Sequence, residues 1–223
     1  MDFSLTLVII ITTCLISIGA FTNHKIMSDL IFYGPAISQR NQWYRLITHG
    51  LIHADIPHLF FNMFALYSFG TAVEKVFDAN CLFGNLGRLI FLILYITALA
   101  AASIPDLMKY KDSYHFQSLG ASGAVSAVIF ASIVVMPKVG VGIIFIPGVR
   151  IPGYIFGVLY LIISAYLDRR GDSNINHGAH LWGAIYGLLF TIALIYAMGQ
   201  LDLIENFKQQ LAADEPFIPA YCH

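Results

Sequence analysis

Ser122 stands in the run Gly120-Ala121-Ser122-Gly123, His180 closes the run His177-Gly178-Ala179-His180, and His58 precedes Asn62 by four residues. A serine hydroxyl is a weak nucleophile until a base within hydrogen-bond reach takes its proton, and imidazole is the side chain most often used for that task. Residues four apart share one face of a helix, so His58 and Asn62 would present an imidazole and an amide together, donors suited to a developing oxyanion. No Asp or Glu accompanies His180 within its own apolar segment, so the pattern specifies a dyad of Ser122 and His180 in place of a triad.

These groups meet only if the segments carrying them are brought to one place. Of the 223 residues 58% are hydrophobic and 11% charged, with a mean hydropathy of +0.73. Soluble domains run about 45–50% apolar and about 25% charged, so lipid is the solvent for much of this chain. Six apolar segments, 3 to 21, 58 to 77, 86 to 104, 119 to 137, 151 to 167 and 178 to 200, approach the roughly 20 residues that cross a bilayer as a helix. Gly84, Asn85 and Gly87, then Pro105 with Asp106, Pro137 with Lys138, and the Asp168 to Asp172 run punctuate them. The first segment lacks the basic flank and small-residue cleavage site of a leader, and is read as a crossing.

Between the first two segments, 22 to 57 is too long and too rich in aromatic and apolar residues to be a plain connector, and is expected to be structured. Residues 1–200 thus read as an all-α, six-helix integral membrane domain, and 201–223 as a short tail that opens as an amphipathic helix. A pI near 6.7 gives no basis for nucleic-acid binding. Cys14, Cys81 and Cys222 form no framework or C-x-x-C motif.

With six crossings, the second, fourth and sixth helices start on one side of the membrane. The costly polar residues lie in the first turns of just those helices: His58 and Asn62, Ser122, and His180. Close approach of the fourth and sixth helices needs small residues at four-residue spacing. Gly123, Ala127 and Ala131 on one and Gly183 and Gly187 on the other supply them. The first-turn N–H groups at Ser122 add oxyanion donors, and the positive helix end near His180 favours a neutral ring.

From Arg45 to Gly187 the chain resembles the rhomboid intramembrane proteases. The resemblance is carried by Arg45 in a W-R-like segment, by the H-x-x-x-N of His58 to Asn62, by G-A-S-G at 120 to 123, and by A-H-x-x-G-x-x-x-G at 179 to 187. It implies a six-transmembrane-helix rhomboid-like bundle with a long structured loop between helices 1 and 2. It also implies a serine endopeptidase without cofactor or metal, with Ser122 as nucleophile, His180 as general base, and His58 and Asn62 joining the Ser122 N–H at the oxyanion. Gly120, Gly123, Gly183 and Gly187 are structural, Arg45 is a loop organiser, and Glu74 resembles a glutamate that anchors the long first loop. The implied substrates are transmembrane helices of other proteins in the lipid, cut near the membrane surface at small residues where the helix unwinds. The implied location is the cell (inner) membrane, with the active site toward the extracytoplasmic side. Positive charges lean the other way: Lys25, Arg40, Arg45, Lys109, Lys111, Arg169 and Arg170 on the long-loop side outnumber Lys75, Arg88, Lys138, Arg150 and Lys208.

Two positions depart from the family pattern. Tyr44 stands directly before Arg45 in place of tryptophan, and Ser126 stands one turn after the nucleophile, where several members carry an aromatic stacked on the catalytic imidazole. Other readings compete. His49, His53, His58, His177 and His180 suggest a histidine metal centre, against which stand the absence of a carboxylate at metal spacing and the unused Ser122 and Asn62. A non-cleaving relative would typically lack the serine or the histidine. His49 and His53 are otherwise solvent-facing or loop-packing residues.

Overall fold

The computed structural model describes residues 4–80, 82–143, 146–171, 175–198 and 201–213. Helix α1 (Leu5–Thr22) leads into a structured connector: α2 (His24–Leu30), β1 (Phe32–Tyr33), α3 (Gly34–Arg40), α4 (Arg45–Thr48) and a 3-10 turn at His49–Leu51. Next, α5 (Ile56–Ala65) continues through a π-helical turn (Leu66–Gly70) into α6 (Thr71–Phe77), one rod from Ile56 to Phe77. After it come α7 (Gly87–Tyr110), β2 (Gln117–Ser118), α8 (Ser122–Val135), a hairpin of β3 (Gly140–Ile143) and β4 (Ile146–Pro152), α9 (Gly153–Arg170), α10 (His177–Met198) and α11 (Leu203–Ala212).

The molecule is a multi-pass helical bundle. Among the described residues three helices are long and apolar enough to cross a membrane: Leu5–Thr22, Gly84–Tyr110 and His177–Met198. Apolar side chains point outward as well as inward. Leu7, Ile11, Leu15 and Ile18 on α1, and Val158, Ile162 and Tyr166 on α9, are exposed, a surface that only lipid can solvate. Polar side chains on α1 turn inward instead: Thr6, Thr13 and Ser17 are fully buried.

The core gathers around α8, whose residues from Gly123 to Val128 are all buried. Its closest partner is α10. A Cβ on Gly183 would run into the Gly123 carbonyl, and one on Gly187 into the Ala127 carbonyl. The small-residue stripes read from the sequence face one another, and only the absence of side chains lets the two backbones meet.

Three features differ from the sequence reading. The helix expected to stop before Pro105 runs on to Tyr110 with Pro105 inside it; the proline removes one hydrogen bond of the ladder, a loss that membrane helices tolerate because neighbouring groups and waters satisfy the freed carbonyl. Apolar residues between α8 and α9 pair as an antiparallel hairpin, with Gly140 opposite Pro152 and Gly142 opposite Arg150. The opening helix of the tail is fastened to the bundle, where Asn206 and Gln210 both donate to the Val135 carbonyl, at 3.2 and 2.8 Å. That carbonyl belongs to the last turn of α8 and has no acceptor role within its own helix.

Candidate active site

Each candidate residue is delivered by a helix start. Asp55 caps α5, its carboxylate accepting the His58 N–H at 2.7 Å, with Pro57 in the first turn. His58 is thereby fixed one turn into the rod, with Asn62 one turn further and buried. Ser122 is the first residue of α8, so its N–H lacks an intrahelical acceptor. At α10, Asn176 accepts the Ala179 N–H at 2.9 Å and donates to Asp106 of α7 and to the Ser118 hydroxyl. This side chain sets the entry of α10, and so of His180, against two neighbouring elements. An asparagine ahead of an apolar run was the available signal for it.

The loop before Ser122 is held as firmly. β1 pairs with β2, Phe32 opposite Ser118, tying the long connector to the strand that leads to Ser122. The Gly120 N–H donates to the His49 carbonyl at 2.9 Å, and the Ala121 N–H to His53 Nε2 at 3.4 Å. Gly120 has a φ of +112°, and a Cβ there would meet His58 Cε1 at 2.8 Å and Nε2 at 2.9 Å. This glycine is needed both for its backbone angle and for the seat of the imidazole. Gly123 is needed for space alone, because its missing Cβ would press on the Ala102 methyl at 2.6 Å.

His49 and His53 pack the loop. Both are buried. His49 Nε2 pairs with the Ser103 hydroxyl at 2.8 Å, while His53 Nδ1 faces the Ser17 hydroxyl at 2.9 Å. Ser17 donates its own proton to the Leu51 carbonyl, so the His53 proton sits on Nδ1, leaving Nε2 free to accept from Ala121. Burial lowers His49 to about 4; burial, and then the neighbouring His58, lowers His53 to about 3. Both rings are neutral at physiological pH. Engaged in this way, these rings do not converge with the others on a metal, and no group of three potential metal ligands occurs among the described residues.

Ser122, His180, His58 and Asn62 line one cavity of about 1100 Å³, which also reaches His177, Asp106 and Trp182. A second, smaller hollow of about 150 Å³ lies between α5, α8, α9 and α10, and Asn62, Ser122 and His180 line it too. Ser122 and His180 are half-buried. Among the described residues no hydrogen bond joins the Ser122 hydroxyl to His180; the bonds beside them run through Ser126, which donates to the Ser122 carbonyl at 2.8 Å. Catalytic hydrogen bonds are commonly long without substrate. Asn62 donates one amide hydrogen to the His58 carbonyl at 2.9 Å, which leaves the second for the cavity. His177 stands edge-on to His180, centroids 5.8 Å apart.

Arg45 and Glu74 lie away from this cavity. Arg45 is buried and donates to the Ser28 and Ile31 carbonyls and to Gln42, gathering the connector around one guanidinium. Glu74 does not anchor the long loop. Its carboxylate accepts from Ser4 Oγ, the Leu5 and Thr6 N–H groups and Thr6 Oγ1, at 2.7 to 3.0 Å. It holds the start of α1, whereas the long loop leaves from the other end of that helix. A carboxylate is at home there, since unpaired N–H groups and the positive end of the helix dipole coincide.

A membrane helix bundle with a polar cavity built from three helix starts defines the class. The family model for the Rhomboid domain matches residues 40–197. The chain is 33% identical over 146 residues to RHOMBOID-like protein 12, mitochondrial, of Arabidopsis thaliana, covering 62% of this chain and 43% of that protein. It is 29% identical over 187 residues to Rhomboid protease GluP of Bacillus subtilis (strain 168), covering 79% and 31%. To Rhomboid protease AarA of Providencia stuartii it is 28% identical over 188 residues, covering 75% and 63%. It therefore spans less than two thirds of the length of these relatives. The chain belongs to the rhomboid family of polytopic membrane proteins.

Proposed function

We propose that this protein is an intramembrane serine endopeptidase that cuts transmembrane segments of other membrane proteins, with Ser122 as nucleophile and His180 as general base. The observation that supports this best is the sharing of one cavity by Ser122, His180, His58 and Asn62, delivered from three helices whose starts lie at the same end of the bundle. In the proposed reaction His180 takes the Ser122 proton as Oγ attacks the scissile carbonyl. The tetrahedral oxyanion is met by the Ser122 N–H, the free Asn62 hydrogen and His58. His180 then returns the proton to the leaving amine, and water repeats the sequence to release the acyl group.

Six crossings complete this reading: α1, the Ile56–Phe77 rod, α7, α8, α9 and α10. At 14 residues α8 is roughly 21 Å long, against a hydrocarbon core of about 30 Å. Ser122 thus lies below the membrane surface, where the cavity supplies its water. A substrate helix keeps its carbonyls internally bonded and must unwind locally to be cut. We place the cavity on the extracytoplasmic side of a cell (inner) membrane; protease accessibility of the Lys109–Lys111 turn in oriented vesicles tests that orientation.

The deciding experiment is cleavage of a single-span model substrate by wild type, Ser122→Ala and His180→Ala. Either substitution is expected to lower turnover by about a thousandfold or more. Unchanged cleavage in either variant sinks the dyad.

A further inference from the structure

The imidazole of a dyad has no carboxylate to fix its plane, so something else must. On α9, Tyr160 lies with its ring nearly parallel to that of His180, 25° between planes and 6.5 Å between centroids, within the range of offset aromatic pairs. The phenol oxygen is 2.6 Å from Ser126 Oγ. Ser126 has one proton and gives it to the Ser122 carbonyl at 2.8 Å, so Tyr160 is the donor to Ser126. A directed chain results, from the Tyr160 hydroxyl to the Ser126 hydroxyl to the backbone of the nucleophile, with the ring that begins it backing the base. Phe130 and Phe156 flank Tyr160 at 5.7 and 5.5 Å and hold its ring in place. The space is made by small residues. Ser126 leaves room beside His180 for a ring from a different helix, and Gly157 brings α9 within contact of Phe130 and Ile133.

We propose that Tyr160 is the positioning residue for His180: its ring, tied to α8 through Ser126, backs the imidazole and sets the plane from which His180 meets Ser122. His177 stands edge-on to the same imidazole. The inference rests on the proposed dyad. It explains how a serine can occupy position 126 while the base still has an aromatic wall.

The test uses the full chain in detergent micelles, with four readouts: kcat and KM on a single-span substrate, the rate at which a fluorophosphonate labels Ser122, and the thermal midpoint. Tyr160→Leu is expected to lower kcat and the labelling rate about tenfold with KM within about twofold, whereas Tyr160→Phe stays within about threefold of wild type. Ser126→Ala, which frees the phenol but keeps the ring, is expected to cost about threefold in both rates. A purely structural tyrosine gives a different result: Tyr160→Leu lowers the thermal midpoint and leaves kcat alone, which overturns the proposal. So does a Tyr160→Phe variant as impaired as Tyr160→Leu. If Tyr160→Leu fails to fold, wild-type rates in Ser126→Ala overturn it instead. A wild type that neither cleaves nor takes the label sinks the dyad and this inference together. An active wild type matched by an equally active Tyr160→Leu sinks the role of Tyr160 alone.

Discussion

At Gly120 two demands fall on one residue. Its φ of +112° lies where side chains are strained, and its missing Cβ is the space that His58 occupies. Gly120→Ala is expected to destabilise the protein by about 1–3 kcal/mol from the backbone alone. On the proposed mechanism it should also lower turnover by about 10- to 100-fold, because the imidazole proposed to meet the oxyanion is displaced. Kinetics on the folded fraction, paired with thermal unfolding, separate the two effects. Wild-type turnover would dissociate His58 from the reaction. This residue scale is also where the sequence was most legible. That His58, Asn62, Ser122 and His180 come to line one cavity could be read from helical spacing and from the parity of helix starts. Tyr160 was not legible, because its partners are set by which face of α9 turns toward α8 and α10, and α9 is apolar nearly all round. His53 was read as solvent-facing or loop-packing, and its buried task was not, since nothing local announces that a loop imidazole will receive the Ala121 N–H from 68 residues away.

At the scale of elements, α1 is pinned at both ends by polar groups inside an apolar surface. Glu74 takes four hydrogen bonds at its start, and Ser17 ties its last turns to His53 and Leu51. Close approach at Gly70, whose Cβ would touch Thr6 Cγ2 at 3.0 Å, brings the Ile56–Phe77 rod near enough for Glu74 to reach. Glu74→Ala leaves buried N–H groups of α1 unpartnered and is expected to cost about 2–4 kcal/mol of stability. Because Glu74 sits at the end of α1 remote from the cavity, the folded fraction should retain turnover within about twofold. Unfolding in detergent and active-site titration with a fluorophosphonate check both halves; a turnover loss in fully folded protein would mean that α1 communicates with the site. The sequence pointed to Glu74 as an anchor but to the wrong partner. Its partners are two backbone amides, at Leu5 and Thr6, and two hydroxyls, of Ser4 and Thr6, 68 to 70 residues away, and nothing in the local pattern around Glu74 points to them. The facing of Gly183 on Gly123 and Gly187 on Ala127 was readable for the opposite reason, since absent side chains leave a spacing that can be counted. The β3–β4 hairpin escaped because a short apolar run reads equally as strand or helix end.

Across the whole molecule, His49 and His53 join α1, the connector, α7 and the loop before Ser122, so their protonation bears on the bundle as a unit. Burial lowers His49 to about 4 and, with the neighbouring His58, lowers His53 to about 3, from ordinary values near 6.5. The unfolded chain therefore binds more protons than the native one between pH 6.5 and these values, and stability must fall as the pH is lowered through that window. Only well above pH 6.5, from about pH 7.5, are both rings neutral in either state and without effect on the slope. By pH 5 each residue is expected to have removed about 2 kcal/mol. A protonated His53 has a donor at Nε2 where the Ala121 N–H needs an acceptor, so the loop carrying Ser122 should loosen with the fold. Thermal midpoints in micelles from pH 7.5 to 4.5 are expected to decline with acidification, and more shallowly in His53→Gln, whose amide can accept from Ala121 without titrating. A midpoint flat across that range, or a His53→Gln slope equal to wild type, would show that these imidazoles are not the linkage between the connector and the loop before Ser122.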